Sequence, residues 1–454
     1  MIYNIIIVTN LIILWFFIIL SFCYLVILAA SVGDIIFRFK EATYGNINQL
    51  LKSIITPSVT ALIPAYNEEA NIFETVSSIL SNNYPNTHVI VINDGSTDTT
   101  LELLKDHFDL YQVVPAIDKV ISSASDPKEM YQSKTHKNLM VINKDNTGKS
   151  DSLNVGLNVC TTPLFITLDA DTLLVEPDAV NNMVFALLSK PHTVAMGGAV
   201  YILNGCKFKA GKVIEKKMSY NPVSALQVCE YLRSFLFSRS GLNPFGGALC
   251  YSGAFTLFEK QVVEDIGGFD RDNVAQDFEI IAHLQAYRYD KHYPLHLGFT
   301  TSAVAWTDVP STFKQLWIQR IHWQEGSIRS MFLHIKMLFN PKYRMIGLFT
   351  YPYYFFGELF GSLIEFLAYV LVFVNWYLGI LNLRWAVLMI LVSWGFVAFL
   401  TMANTLISLV TYNKYRRLRD VLWIFFMVFL EQFGLRQYLV ICRVFATIKY
   451  FLGL

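Results

Sequence analysis

Two carboxylates one residue apart, Asp169 and Asp171, directly follow the apolar run Leu164-Phe165-Ile166-Thr167-Leu168. At the end of a strand, such a pair can share one hard cation. Mg²⁺ or Mn²⁺ takes oxygen ligands and lets substrate phosphates complete its shell, so the pair suits a nucleotide diphosphate. The same tripeptide also recurs as an ordinary capping pair, and only its neighbours can decide between the two.

The elements needed to position it can be read from the surrounding pattern. Residues 59–63, 89–92, 139–142 and 164–168 are apolar runs of strand length. Between them, 69–80, 99–108 and 149–159 carry apolar residues at helical spacing. This alternation predicts an α/β domain with a mostly parallel sheet. The stretch 112–137 lacks a clear period and contains Ser-Ala-Ser-Asp-Pro, so it is expected to leave the sheet as a long excursion.

In open α/β sheets ligands bind at the carboxyl ends of the strands. The first strand runs into Pro64-Ala65-Tyr66-Asn67-Glu68, and the second into Asn93-Asp94-Gly95-Ser96-Thr97-Asp98. There Tyr66 can stack on a base, Glu68 can accept from ribose hydroxyls, and Asp94 can accept from a base N–H. Asn67 and Thr97 read equally well as helix caps. After the third strand, Lys144 and Gly148-Lys149-Ser150-Asp151-Ser152-Leu153-Asn154 put cationic and N–H donors near a helix start, where a diphosphate would sit. This is not a P-loop, because the upstream glycine is missing.

With 54% hydrophobic and 16% charged residues among 454, the chain is too apolar for a purely soluble enzyme. No charge occurs before Asp34, and 5–30 is apolar enough for a membrane helix. A cleavable signal peptide would need a basic start, yet no Lys or Arg precedes Arg38. A net charge of +1 speaks against a nucleic-acid partner. The six cysteines show no C-x-x-C spacing, so neither a zinc site nor a disulfide framework is indicated.

Beyond the globular stretch, 311–339 could form an amphipathic helix carrying Ile318, Ile321, Ile328, Phe332 and Ile335, suited to a membrane surface. Segments 346–374 and 385–411 read as a transmembrane hairpin. The stretch 421–454 is interrupted by Glu431, Arg436, Arg443 and Lys449, and fits a bent span or an interfacial helix. The expected division is a membrane helix over 1–33, a cytoplasmic domain over 34–310, interface helices over 311–345, a hairpin over 346–412, and a basic link with a third apolar segment over 413–454. Arg38 and Lys40, with Lys414, Arg416, Arg417 and Arg419, place both basic links on the cytoplasmic side of a multi-pass inner-membrane protein. Glu358 and Glu365 lie inside an apolar span about two helical turns apart. They line a glycan channel or pack inside the bundle against an arginine such as Arg436.

Taken together, residues 64–68, 93–98, 148–154 and 169–171 resemble family 2 glycosyltransferases in order and spacing. The resemblance continues through Ser252-Gly253-Ala254-Phe255, Gly267-Gly268-Phe269, Ala275-Gln276-Asp277 and Gln319-Arg320-Ile321-His322-Trp323, covering about 58–326. The flanking membrane helices resemble the polymerising branch, which includes poly-N-acetylglucosamine, hyaluronan and cellulose synthases. The resemblance implies a GT-A domain, a UDP-sugar donor (UDP-GlcNAc above others), a glycan or lipid acceptor, and Mg²⁺ or Mn²⁺ at Asp169 and Asp171. It further implies Asp277 as the base, and a donor site drawing on Pro64, Tyr66, Glu68, Asp94, Lys149, Asp169, Gln319, His322 and Trp323. An accessory membrane subunit is a further expected partner.

Two positions depart from the family pattern. Gln276 stands where Glu is usual, which removes one negative charge beside Asp277 and should lower the base's pKa. His322 stands at the arginine position of Q-x-x-R-W. An ordinary imidazole is charged only below about pH 6.5 and cannot offer a guanidinium fork. Weaker or more pH-sensitive diphosphate binding is therefore expected, unless Arg320 substitutes. The first expectation is extension of a β-linked polysaccharide; transfer of one sugar to a lipid and nucleotide-sugar binding without turnover are the alternatives.

Overall fold

In the computed structural model, residues 2–44, 56–114, 117, 119–412 and 417–453 are described. Lys414 and Arg416 of the basic link lie outside them. The chain forms two compact units. One comprises Gly33–Met218 and Gly246–Val309; the other comprises Met1–Val32, Ser219–Phe245 and Pro310–Leu454.

The first unit is built on a ten-stranded sheet. Its strands are β1 (Val59–Ala65), β2 (Thr87–Asp94), β3 (Leu110–Val113), β4 (Glu129–Ser133), β5 (Leu139–Lys144), β6 (Leu164–Leu168), β7 (Thr172–Leu173), β8 (Thr193–Ile202), β11 (Phe255–Glu259) and β12 (His296–Thr307). β9 (Lys207–Lys209) and β10 (Lys212–Glu215) form a separate hairpin. The spatial order is β3-β4-β5-β2-β1-β6-β11-β8-β12-β7. The block β5-β2-β1-β6 is parallel, as is β8 with β12, while β11 runs antiparallel between β6 and β8. The result is a mixed, mostly parallel α/β sheet.

β1 sits between β2 and β6, so Val59, Ala61, Leu62 and Ile63 have no solvent contact. A central parallel strand is covered on both faces, hence its unbroken apolar run. Helix Lys149–Val159 packs on β1 and β2, where a Cβ on Gly156 would come within 3.1 Å of both Ile92 and Leu62. That close approach fixes the height of the helix over the sheet. Because β1, β2, β5 and β6 are parallel, their carboxyl ends share one edge.

The stretch 112–137 departs from expectation. Its described part returns to the sheet as β4, which pairs antiparallel with β5 and receives β3 on its outer side. Only five residues long, β4 is too short to display a period, and its register is imposed by β5. Helix Lys149–Val159 holds the intervening loop: Asn158 exchanges two hydrogen bonds with the Ile121 backbone, and Asp151 accepts from Ala124 N at 2.7 Å.

In the helical unit, Asn4–Ile36 and Leu418–Leu452 are each long and apolar enough to cross a membrane. Ile346–Leu359 and Gly361–Tyr377 together make a third candidate, bent by 43°. Helix Leu383–Tyr412 follows it. The bend coincides with π-helical turns at Ile346–Thr350 and Tyr353–Leu359, a usual cause of kinks. It also means that the two-turn spacing expected for Glu358 and Glu365 does not hold, because that spacing assumes a continuous α-helix. Glu365 instead makes a two-pronged pair with Arg436 at 2.6 and 3.0 Å and accepts from Tyr369. Glu358 accepts from the Tyr353 hydroxyl at 2.8 Å. The last segment, Leu418–Leu452, is kinked at Phe433 and Gly434.

Candidate active site

The turns after β1 and β2 are laced together. Asn67, at φ +56°, accepts from Thr97 N at 2.8 Å through Oδ1 and donates its backbone N–H to Ser96. Glu69 accepts from Thr99, and Glu68 N donates to Thr100 Oγ1 at 2.9 Å. Asn67 therefore clamps two loops rather than capping a helix. Pro64, next to the end of β1, is in register with Ile92, and the Tyr66 side chain is about half exposed at the rim.

Two lysines near β5 have opposite fates. Lys144, with no exposed side chain, turns inward: Nζ donates to Asp94 Oδ1 at 2.5 Å, to the Asp145 carbonyl and to Thr147, and stands 3.5 Å from Asp151. It is therefore not the diphosphate cation that its position suggested, because two buried carboxylates consume its charge. Asp94 in turn accepts from Thr147 N at 3.1 Å and from Gly148 N at 2.9 Å. This orders the loop into which Gly148, at φ +93°, is fitted. Lys149 opens the next helix and points to the site, with Nζ 2.5 Å from Asp169 Oδ1.

The carboxylate pair spans the turn between β6 and β7. Thr172 N donates to the Asp169 carbonyl, and Thr75 donates to the Ala170 carbonyl at 2.7 Å. Asp171 accepts from Thr307 Oγ1 at 3.0 Å, delivered by the end of β12, which pairs with β7. Burial, reinforced by the Asp169 and Glu68 carboxylates, pushes Asp171 up to about 7. Burial also raises Glu68, with Asp169 adding repulsion. Burial works against the Lys149 charge, but Asp169, Asp277 and Asp171 outweigh it and raise the amine.

Asp277 lies in the first turn of helix Gln276–Asp290, half buried. Oδ2 accepts from Gly253 N at 3.1 Å and Oδ1 from Phe278 N at 2.9 Å, so both oxygens are aimed by backbone donors. Gln276, oriented so that its amide is satisfied, accepts from Lys149 Nζ at 3.0 Å and donates to the Val274 carbonyl. Lys149 thus bridges Asp169 and the residue beside Asp277. Ser252, Gly253, Gln276 and Asp277 line a small recess floored by Leu153, Phe258 and Ile280. Asn154 exchanges two hydrogen bonds with the Phe269 backbone, tying the Gly267-Gly268 turn to the lysine helix.

Gln319, His322 and Trp323 lie in the other unit, on helix Phe313–Leu333. His322 and Trp323 are exposed and Gln319 is half buried. Arg320 is 1% exposed, pairs with Glu230 at 2.6 Å, and sits 4.3 Å from the Trp323 ring centre. Committed to that buried pair, Arg320 does not stand in for the guanidinium absent at His322.

The residues present fit a hard divalent cation. The donors are oxygens, and crowding among Asp171, Asp169 and Glu68 is a surplus of negative charge that such an ion would relieve. Among the described residues no three His, Cys, Asp or Glu side chains converge as a ligand set. Thr307 and the Gly253 N–H were invisible to sequence reasoning: Thr307 follows the pair by 136 residues, and a backbone donor has no signature.

Two family models match the chain: glycosyl transferase family 2 over residues 60–267, and glycosyl transferase family group 2 over 164–433. Poly-beta-1,6-N-acetyl-D-glucosamine synthase of Staphylococcus epidermidis is 28% identical over 297 residues, covering 65% of this chain and 61% of that protein. The Staphylococcus aureus protein of the same name is 28% identical over 327 residues, 69% of this chain and 66% of that one. The chain therefore matches less than two thirds of each relative's length. The fold is similar to that of the mannosyltransferase PcManGT from Pyrobaculum calidifontis, solved with GDP-Man and Mn²⁺, with a TM-score of 0.55 and 16% identity over 95% of this chain and 99% of that one. With a family model spanning more than half its length, the chain belongs to the family 2 glycosyltransferases.

Proposed function

We propose that the chain is a membrane-embedded, inverting glycosyltransferase that transfers a sugar from a UDP-sugar, UDP-GlcNAc, to a growing β-linked polysaccharide. The observation that carries this reading is the bridge from Asp169 through Lys149 to Gln276, with Asp277 beside it. It sets a cation-and-diphosphate end against a base end. The polymer and the sugar for which the two staphylococcal relatives are named support this reading. The long apolar helices support the membrane, and the basic links support a cytoplasmic catalytic unit.

In this mechanism Asp277 takes the proton of the acceptor hydroxyl as that oxygen bonds to the anomeric carbon. The bond from that carbon to the diphosphate oxygen breaks, and UDP leaves with the electron pair. Gly253 N–H and Phe278 N–H hold the carboxylate in place for this, at no cost in reorganisation. Lys149 donates to the diphosphate, and Asp94 reaches the base while ordering the Gly148 turn. Tyr66 stacks on the base at the rim, Pro64 shapes the strand end beneath it, and Glu68 accepts from the ribose. Asp171 and Asp169 would hold Mg²⁺ or Mn²⁺, which supplies positive charge against the leaving diphosphate.

A UDP-release screen in membranes across UDP-GlcNAc, UDP-Glc, UDP-GlcA and UDP-Gal, with Asp277→Asn as control, tests this. Release from UDP-GlcNAc with a polymeric product is expected. Release from none of the four overturns the reading, and a single labelled glycolipid assigns a lipid acceptor instead.

A further inference from the structure

The β9–β10 hairpin takes no part in the proposed chemistry, yet the fold holds it firmly. Its two-residue turn, Ala210-Gly211, has φ of +51° and +72°, the pattern of a tight primed turn. Alanine is an unusual residue for that conformation. Gly211 lies against helix Ile72–Leu80 so closely that a Cβ would come within 2.3 Å of Ser78 N. Its own N–H donates to Glu74 Oε2 at 2.5 Å. The turn is therefore pinned to the body of the sheet unit.

What this anchoring displays is a basic face. Along both strands exposed residues alternate with half-buried ones, so Lys207, Lys209, Lys212 and Ile214 face outward. Lys209 and Lys212 are direct cross-strand partners. Like charges placed opposite each other destabilise a hairpin. Neither has an ion-pair partner among the described residues, whereas Lys207 pairs with Glu215 at 3.4 Å and the Glu74 carboxylate is engaged by the Gly211 N–H. Ile214, 70% exposed, adds an apolar side chain to the same face. The hairpin thus keeps an unfavourable charge pair that an external anion would relieve.

We propose that the outer face of this hairpin docks on anionic lipid headgroups, with the lysine ammoniums on phosphate and Ile214 at the acyl boundary. Lysines around an exposed aliphatic residue match the chemistry of a charged membrane interface. The bilayer is also the anionic surface the chain carries with it. Lys216 and Lys217 follow β10, Met218 closes the sheet unit, and Ser219 opens the unit that contains the apolar helices. Tethering to the bilayer makes this contact effectively intramolecular, so modest affinity per lysine suffices. The hairpin then adds a membrane contact of its own, beyond any role in transfer.

Amine footprinting of the full chain tests this, in nanodiscs of phosphatidylcholine with and without phosphatidylglycerol. Labelling of Lys209 and Lys212 is expected to fall several-fold when phosphatidylglycerol is present and to recover in high salt, with exposed Lys137 unchanged. Lys209→Gln with Lys212→Gln, both on the surface, should leave the fold intact and remove the lipid-dependent protection of Lys207. At roughly fivefold per lysine, the docking equilibrium should weaken about 25-fold. Equal labelling in both discs overturns the proposal. Protection by soluble polyglutamate but not by phosphatidylglycerol also overturns it, in favour of an acidic protein partner.

Discussion

Lys149 Nζ stands 2.5 Å from Asp169 Oδ1, so this ammonium already rests on one half of the carboxylate pair. Across a bound diphosphate, the same amine would exchange a carboxylate for phosphate oxygens. Lys149→Met should then weaken UDP affinity. A charge-assisted hydrogen bond contributes about 1.5–3 kcal/mol, or about ten- to a hundredfold in binding. Calorimetric titration with UDP checks this, and an unchanged Kd would assign Lys149 a purely structural role.

Asp277→Asn keeps the size but only one of the two backbone contacts, because its NH2 cannot accept from an N–H, and it cannot take a proton. Transfer should fall roughly 10²- to 10⁴-fold, as for loss of a general base. UDP binding, measured separately, should stay near the parent value.

Gly253 tests the aim of that carboxylate. A Cβ there would come within 3.2 Å of the Gln276 side-chain amide and 3.3 Å of Asp277 Cβ, tight enough to displace both slightly. Gly253→Ala should lower kcat by up to roughly a hundredfold, since small misplacements are costly in a positioned reaction. Donor KM should change little; a loss confined to KM would argue against the positioning role.

Chelation should abolish UDP release, and Mn²⁺ or Mg²⁺ should restore it. Asp171→Asn removes a charge that burial and its neighbours already oppose, so the variant should be at least as stable as the parent while losing Mn²⁺ binding. Paramagnetic resonance of Mn²⁺ titrated in the presence of UDP reads the binding directly. Full Mn²⁺ occupancy in Asp171→Asn would remove this residue from the ligand set.

The Arg320–Glu230 pair predicts a stability effect instead. Arg320→Leu leaves part-buried Glu230 with only Arg443 at 3.8 Å, so the loss should lie at or below the roughly 3–5 kcal/mol for breaking a buried pair. The melting temperature in detergent should fall clearly. The double variant Arg320→Leu with Glu230→Gln should recover part of the loss, a coupling that a catalytic arginine would not show.

By itself the sequence determined the elements and the chemistry within reach of each. The unbroken apolar runs of β1, β2, β5 and β6 follow from burial on both faces, and the carboxylate pair follows β6 at once. The long apolar helices are legible because a bilayer demands length and composition together. The tertiary structure decided which polar groups face the site. Lys144 and Lys149 look alike in the chain, yet Asp94 and Asp151 bury the first while Asp169 and Gln276 receive the second. Thr307 reaches Asp171 only because β12 pairs with β7, and Arg320 is withdrawn only because Glu230 meets it inside the helical unit. Charge and hydrogen-bond capacity are local properties, but what they are spent on is settled by neighbours that only folding brings within about 4 Å.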